Sequence, residues 1–256
     1  MARPLALNLG TACLRNYFYV DPKGVNHESC IADKVFYPGV VPDEKARAFF
    51  AMLHRSLVVQ RKSRLHQPKA RQDFGSGHLA VFLQDWSDPV ERATLVDSLT
   101  MVRLAIAEGG GRPVVIKPHP RNSGPETQEI LQLASAYRHV RVTSGNVHDI
   151  LRGAAATLSI SSSLALEDML HRVPAILFGR MDLHHCAATV ASPDDWPAAL
   201  DRALSTTWPY ERYLLWFLRW QNIDASRPYL PKVLQRMAAQ GANFSALGIK
   251  MLETDP

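Results

Sequence analysis

Residues 154–178 read AAATLSISSSLALEDMLHRVPAILF, and their pattern decides the fold. Thr157–Ile160 is a short apolar run that predicts a buried strand. Leu164–His171 follows as a helix, and Pro174–Phe178 as another strand. Working outward, the same alternation repeats. Leu79–Leu83 (LAVFL) predicts a strand, Asp88–Glu108 one amphipathic helix, and Gly109-Gly110-Gly111 its stop. Pro113–Lys117 is a strand, Glu126–Tyr137 a helix, Val140–Val142 a strand, Val147–Gly153 a short helix, and Asp194–Leu204 a last helix. This rhythm predicts an α/β protein with a doubly wound, Rossmann-like parallel sheet.

The flanks differ. Asp43–Gln60 predicts a helix started by Pro42 and two acids, and Asp21-Pro22-Lys23-Gly24 a turn. Residues 66–78, HQPKARQDFGSGH, read as a linker. Residues 205–256 read as helical, and Tyr213, Trp216, Phe217 and Trp220 fall on one helix face. We therefore expect an N-terminal segment and linker (1–77), a Rossmann-like domain (78–205) and a C-terminal helical segment (206–256).

Composition narrows the class. With 256 residues, 46% hydrophobic and 21% charged, the chain can bury a core, and general disorder is excluded. Three cysteines do not make a disulfide framework and suit a cytoplasmic protein. No apolar run reaches the roughly 18–20 residues of a membrane span, and the N-terminus does not read as a signal peptide. All of the net +5 comes from residues 1–77, which hold 12 basic and 6 acidic side chains. Between Lys45 and Gln72 eight basic residues meet no carboxylate. Such a run meets phosphate or an anionic membrane, or simply forms a solvated face. Nucleic acid is not expected, for want of zinc-finger spacing or interleaved aromatics. Two hypotheses follow for the membrane: the basic run and the Trp208–Trp220 aromatics bind its surface, or the aromatics pack on the core.

Chemistry is expected just after strands, where ligands bind in such sheets. Lys117-Pro118-His119-Pro120 ends one strand, with His119 held between two prolines and Lys117 adding charge. Ser161-Ser162-Ser163 precedes a helix, offering hydroxyls and free amides to an anion; one serine would suffice as a cap. Glu167 lies four residues further on and can meet a ribose hydroxyl. Gln84-Asp85-Trp86-Ser87-Asp88 follows another strand and carries two carboxylates. Asp88 is either a catalytic carboxylate or a helix cap before Pro89. His184-His185-Cys186 has the wrong spacing for a tetrahedral metal site. No GxxxxGK[ST], GxGxxG or GxSxG motif is present.

Together the KPHP and SISSSLALE segments resemble the donor-binding half of GT-B glycosyltransferases that use CMP-sugars. More closely, the chain resembles the capsule polysaccharide biosynthesis family that contains the bacterial β-Kdo transferases. VFLQDWSDP, VVIKPHPRN, the run 146–179 and, more weakly, DPKGVNHES carry the resemblance, over about residues 18–30 and 78–220. It implies transfer of a sugar, Kdo in this family, from a CMP-sugar to a capsule glycan or glycolipid acceptor, with no metal or further cofactor. The donor would be held by Gln84, Lys117, His119, Pro120, Ser161, Ser162, Ser163 and Glu167. Asp88 would be the nucleophile and Glu28 its acid/base partner. The implied setting is the cytoplasm, peripheral to the inner membrane, beside other capsule-assembly proteins. Residues 1–65 are too short for a second Rossmann-like half, so that half is shortened, supplied by another chain or lost. A CDP-polyol phosphotransferase shares the Lys-x-His-Pro segment and is the alternative enzyme. A non-catalytic nucleotide-sugar-binding partner is the alternative of another class.

Overall fold

A computed structural model describes residues 6–85 and 88–244; the side chains of Asp88 and Pro89 lie outside that description. The strands are β1 (Asn8–Thr11), β2 (Tyr17–Asp21), β3 (His78–Phe82), β4 (Val114–Lys117), β5 (Val140–Val142), β6 (Ala154–Ser159), β7 (Ala175–Leu177), β8 (Ala188–Thr189) and β9 (Ile223–Asp224). The helices are α1 (Asp43–His54), α2 (Asp88–Ala93), α3 (Ser98–Glu108), α4 (Pro125–Ser135), α5 (Val147–Leu151), α6 (Ala165–Leu170), α7 (Trp196–Ser205), α8 (Tyr210–Leu215) and α9 (Leu230–Ala239).

Strands β3 to β8 form one parallel sheet in the order β5-β4-β3-β6-β7-β8. The expected doubly wound sheet is therefore present. The chain first runs outward from β3 to β5, then crosses back to β6 on the other side of β3. The order reverses there, and this is where such sheets open a ligand crevice at their carboxyl ends. All five residues of β3 are buried, as a central strand covered on both faces must be. Leu79 and Val81 join Val102, Ile116 and Leu158 on the α3–α4–α7 side. Ala80 and Phe82 join Val115, Ile150 and Leu151 on the α5 side.

Several expectations need correction. The helix expected over Asp88–Glu108 is two helices. The amides of Leu95 and Val96 both donate to the Phe178 carbonyl at the end of β7, 3.0 Å each. Asp97 then caps α3 through the Thr100 amide (2.8 Å). A side chain that captures the backbone locally ends one helix and starts the next. The helix expected over Asp43–Gln60 is α-helical only to His54 and continues as a π-helical turn over Arg55–Val59. The tail is not purely helical: α8 runs into a π-helical turn at Trp216–Gln221, then into β9.

β9 pairs with β2, which pairs with β1, in a small antiparallel sheet. The two flanks of the sequence thus share one core. Tyr19 of β2 meets Phe217 edge-on at 6.4 Å, and Tyr213 stacks on Phe217 at 5.7 Å. These rings pack with α1 and α6 in a single cluster. Buried Asp182 joins them: its Oδ2 accepts from the hydroxyls of Tyr19 (2.8 Å) and Ser29 (3.1 Å), and its carbonyl from Tyr213 (2.6 Å). Of the aromatic face, Tyr213, Trp216 and Phe217 are buried, so membrane contact through them is ruled out; only Trp220 is 40% exposed.

Residues 62–77 hold no helix or strand, as a linker should, yet they are anchored. At the end of the π-helical turn Arg61 adopts φ +51°. The Lys62 amide reaches back to Leu57 O (2.8 Å) and the Arg61 amide to Val58 O (3.0 Å), a closure that usually takes glycine. Arginine occupies the position because its guanidinium is engaged. It donates to Lys69 O (2.8 Å), Ala70 O (3.3 Å) and the fully buried carboxylate of Asp149 (2.7 Å). The Gln72 amide also donates to Asp149 (3.0 Å).

Arg61→Ala removes the nearer and more buried of the two cations on Asp149, leaving the exposed Arg152 at 3.6 Å, and should cost about 3 kcal/mol. Arg61→Gly should lose roughly 1 kcal/mol less than Arg61→Ala, because glycine relieves the left-handed backbone. Urea denaturation of the two variants checks both statements. Wild-type stability in Arg61→Ala would show that this pair does not anchor the linker.

Candidate functional site

The loops that follow β5, β4, β3 and β6 line up along the carboxyl edge of the sheet. They form one wall of a cleft of about 990 Å³, a size suited to a small organic ligand. The structure brings every expected donor-binding residue to it: Gln84, Lys117, His119, Pro120, Ser161, Ser162, Ser163 and Glu167.

Their roles differ from one another. Gln84 leaves β3 and bridges the point of strand reversal. Its Oε1 accepts from the Ser161 amide (2.6 Å) and its Nε2 donates to Ser161 Oγ (3.4 Å). Gln84 thus fixes the serine turn against β3. Asn122, which sequence reasoning did not single out, locks the neighbouring loop. Its Nδ2 donates to Gln84 O (2.7 Å), and its Oδ1 accepts from the Gly124 amide (3.0 Å). His119 Nδ1 accepts from the Arg121 amide (3.3 Å). The neutral ring therefore carries its proton on Nε2 and offers a donor. Burial, helped by Arg121 and Lys117, lowers the His119 pKa, so the neutral form dominates at pH 7.

Lys117 does not stand free. Its ammonium donates to Ser144 O (3.0 Å) and Gly145 O (2.7 Å), holding the loop after β5. Ser162 Oγ accepts from the Leu164 amide (3.2 Å), closing the turn before α6; the N-cap position itself is Leu164, so no serine side chain caps the helix, contrary to expectation. Ser161 is tied to Gln84, and Ser163 also lines the cleft. Helix α6 has only six residues, so its dipole is a weak contributor here.

The second wall was missed: it is the linker. Residues 63–68 run across the cleft as a strap. Ser63 donates to Glu167 Oε1 (2.6 Å), and the Arg64 amide also bonds that carboxyl. Further along, Gln67 Oε1 accepts from the Val147 amide (3.1 Å), and Pro68 O from Asn146 Nδ2 (3.0 Å). The basic run was legible, but nothing in it told which residues turn toward the sheet. Arg64 and Arg121 add cations to the cleft, and Arg121 pairs with Asp85 at 3.0 Å.

Glu167 is 5% exposed, and its Oε2 is buried without a hydrogen-bond partner among the described residues. Burial pushes its pKa up to about 7, against the lowering bonds from Ser63 and Arg64. Behind it, His148 Nε2 donates to Lys62 O (3.0 Å) and lies 3.7 Å from Glu167 Oε2. His148 Nδ1 then accepts from His171 Nε2 (2.9 Å). Desolvation lowers both histidines, His171 to about 4.

The expected catalytic pair is only partly described. The side chain of Asp88 lies outside the described residues. Glu28 is not part of the cleft wall, although Asn26, two residues earlier, is. Glu28 pairs with Arg92 of α2 at 3.4 Å, so it does reach the helix that begins at Asp88. His184 and His185 bond backbone carbonyls of Met181, Asp182 and Lys34.

No protein-family model matches the chain, and no curated protein matches it in sequence. Solved structures do match in fold. The Thermosulfurimonas dismutans KpsC β-Kdo 2,4 transferase is 17% identical with a TM-score of 0.56, over 81% of this chain and 70% of that one. The KpsC β-Kdo 2,7 transferase of the same organism is 14% identical with a TM-score of 0.55, over 91% and 78%. The chain has the fold of these two transferases.

The raised pKa of Glu167 has a measurable consequence. Its ordinary value is 4.5. Between 4.5 and about 7 the folded chain holds a proton that the unfolded chain has lost, so stability falls as pH rises through that window. Glu167→Gln removes this titration. We expect its Tm, relative to wild type, to rise by several degrees between about pH 5 and about pH 8. Asp182, also raised to about 7, titrates in both proteins and cancels. A pH-independent difference would place the Glu167 carboxyl in a solvated setting.

Proposed function

We propose that this chain is a glycosyltransferase that moves a sugar, Kdo in the first instance, from a CMP-sugar to a glycan or glycolipid acceptor. One observation carries the reading: the KPHP and SISSS segments, 42 residues apart from His119 to Ser161, meet in one cleft at the strand reversal. The fold shared with two β-Kdo transferases supports the sugar class.

In this reading the CMP phosphate lies beside His119 Nε2–H and the serine turn. Arg64 and Arg121 offset its charge, and Glu167 meets the ribose. A low-dielectric cleft with donors already in place stabilises the charge that develops on the leaving phosphate. The end lined by Asn26, Val90 and Met181 is left for sugar and acceptor. The Asp88 carboxylate attacks the anomeric carbon while the bond to the CMP phosphate oxygen breaks, and the electron pair leaves with CMP. The acceptor hydroxyl then attacks the glycosyl-enzyme, Glu28 takes its proton, and the Asp88 carboxylate is released. Two displacements give retention. A glycolipid acceptor would bring the protein to a membrane, where exposed Lys45 of α1 and Arg55 of the π-helical turn that follows it supply basic charge.

His119→Ala should weaken CMP binding by about 1–3 kcal/mol, the cost of a lost hydrogen bond to a charged group, read by calorimetry. Unchanged affinity would remove His119 from the phosphate site. Asp88→Asn should leave CMP affinity and thermal stability near wild type and abolish turnover of CMP-Kdo with a glycolipid acceptor. Full turnover in that variant would assign Asp88 to a cap.

A further inference from the structure

Two large apolar side chains in the cleft wall stand exposed to solvent. Leu65 of the strap is 40% exposed and Val142, the last residue of β5, is 43% exposed. Every other large apolar residue in the cleft wall is more buried. Exposed apolar surface gains free energy when a ligand removes it from water.

The position of this pair matters. Neighbouring strands lie about 4.8 Å apart, so the four strand ends from β5 to β6 span about 14 Å. That is room for a nucleotide laid along the edge. The serine turn, Gln84 and the KPHP loop occupy the β6, β3 and β4 stations. The β5 station holds Val142, and its loop is fixed by Lys117. Opposite, the strap is pinned on both sides of Leu65. On one side Lys62 O is held by His148, and Ser63 by Glu167. On the other side Gln67 and Pro68 are held by Val147 and Asn146. Leu65 is therefore presented on a fixed backbone over the cleft, and Arg61 fixes the strap's start.

We infer that Leu65 and Val142 form the two jaws of a nucleobase slot, so that the strap from the N-terminal segment completes the nucleotide site of the sheet. The inference rests on the donor-cleft reading and adds to it the residues that bind the base. The contact is with the faces of a flat ring. It favours any pyrimidine nucleotide over a sugar phosphate, and does not by itself separate cytosine from uracil.

The test titrates the full chain with CMP, UMP and ribose 5-phosphate, which keeps the phosphate and sugar and lacks the base. Leu65→Ala and Val142→Ala should each weaken CMP and UMP about five- to tenfold. Both should leave ribose 5-phosphate within about twofold of wild type, and that retained binding shows that the cleft is folded. Nucleotide affinity unchanged in both variants would overturn the slot while leaving the donor cleft standing. Equal weakening of all three ligands would also overturn it, since the residues would then shape the whole cleft. A wild-type chain that binds neither nucleotide would overturn the donor reading together with the slot.

Discussion

The reversal of strand order at β3 is the constraint on which the rest depends. Because β4 lies on one side of β3 and β6 on the other, the connections after these strands diverge and leave a crevice between them. An open crevice next to buried strands exposes amides and carbonyls that must be satisfied. Gln84 does this across the gap by holding both the amide and the hydroxyl of Ser161. Asn122 extends the same lock to the KPHP loop. The groups left unengaged, among them His119 Nε2–H, are then fixed in place before any ligand arrives, which is the condition for electrostatic preorganisation.

The second wall is held by buried charge and by neutral histidines. Asp149 is fully buried, with Arg61 as its nearer cation at 2.7 Å and Arg152 at 3.6 Å. The His171–His148–Lys62 carbonyl chain has a single consistent proton assignment. The carbonyl can only accept, so His148 carries its proton on Nε2 and takes the His171 proton at Nδ1. Protonating His148 removes that acceptor. The depressed value of His171, about 4, means that this arrangement stabilises the fold above the ordinary histidine range and is lost as pH falls toward 4. The strap and the sheet are thereby one structure near neutral pH.

Much of this was legible in the sequence, for identifiable reasons. Strands buried on both faces read as apolar runs, so LAVFL and PVVIK stood out. Strand ends are where ligands bind, so KPHP and SISSS were found as candidates. What failed was decided by long-range contacts. The break between α2 and α3 depends on the Phe178 carbonyl, about 80 residues away in sequence. β1, β2 and β9 are short, and β9 has two residues, too few for any periodicity to show. The strap looked like a tether because HQPKARQDFGSGH is polar and rich in breakers. Its order comes from partners on α5 and α6 that local sequence does not reveal. Arg61 broke the expectation of glycine at a left-handed helix end because Asp149, 88 residues on, supplies its partner.

The central claim is that a nucleotide lies along the carboxyl edge of this sheet, under the strap. A crystal structure of the chain soaked with CMP tests it most directly. We expect the phosphate within hydrogen-bond distance of His119 Nε2 and the 161–163 turn, the ribose toward Glu167, and the base between Leu65 and Val142. CMP bound elsewhere, for instance in the surface groove on α1 between Ala48, Met52 and Arg55, with the cleft empty at saturating ligand, would contradict the account.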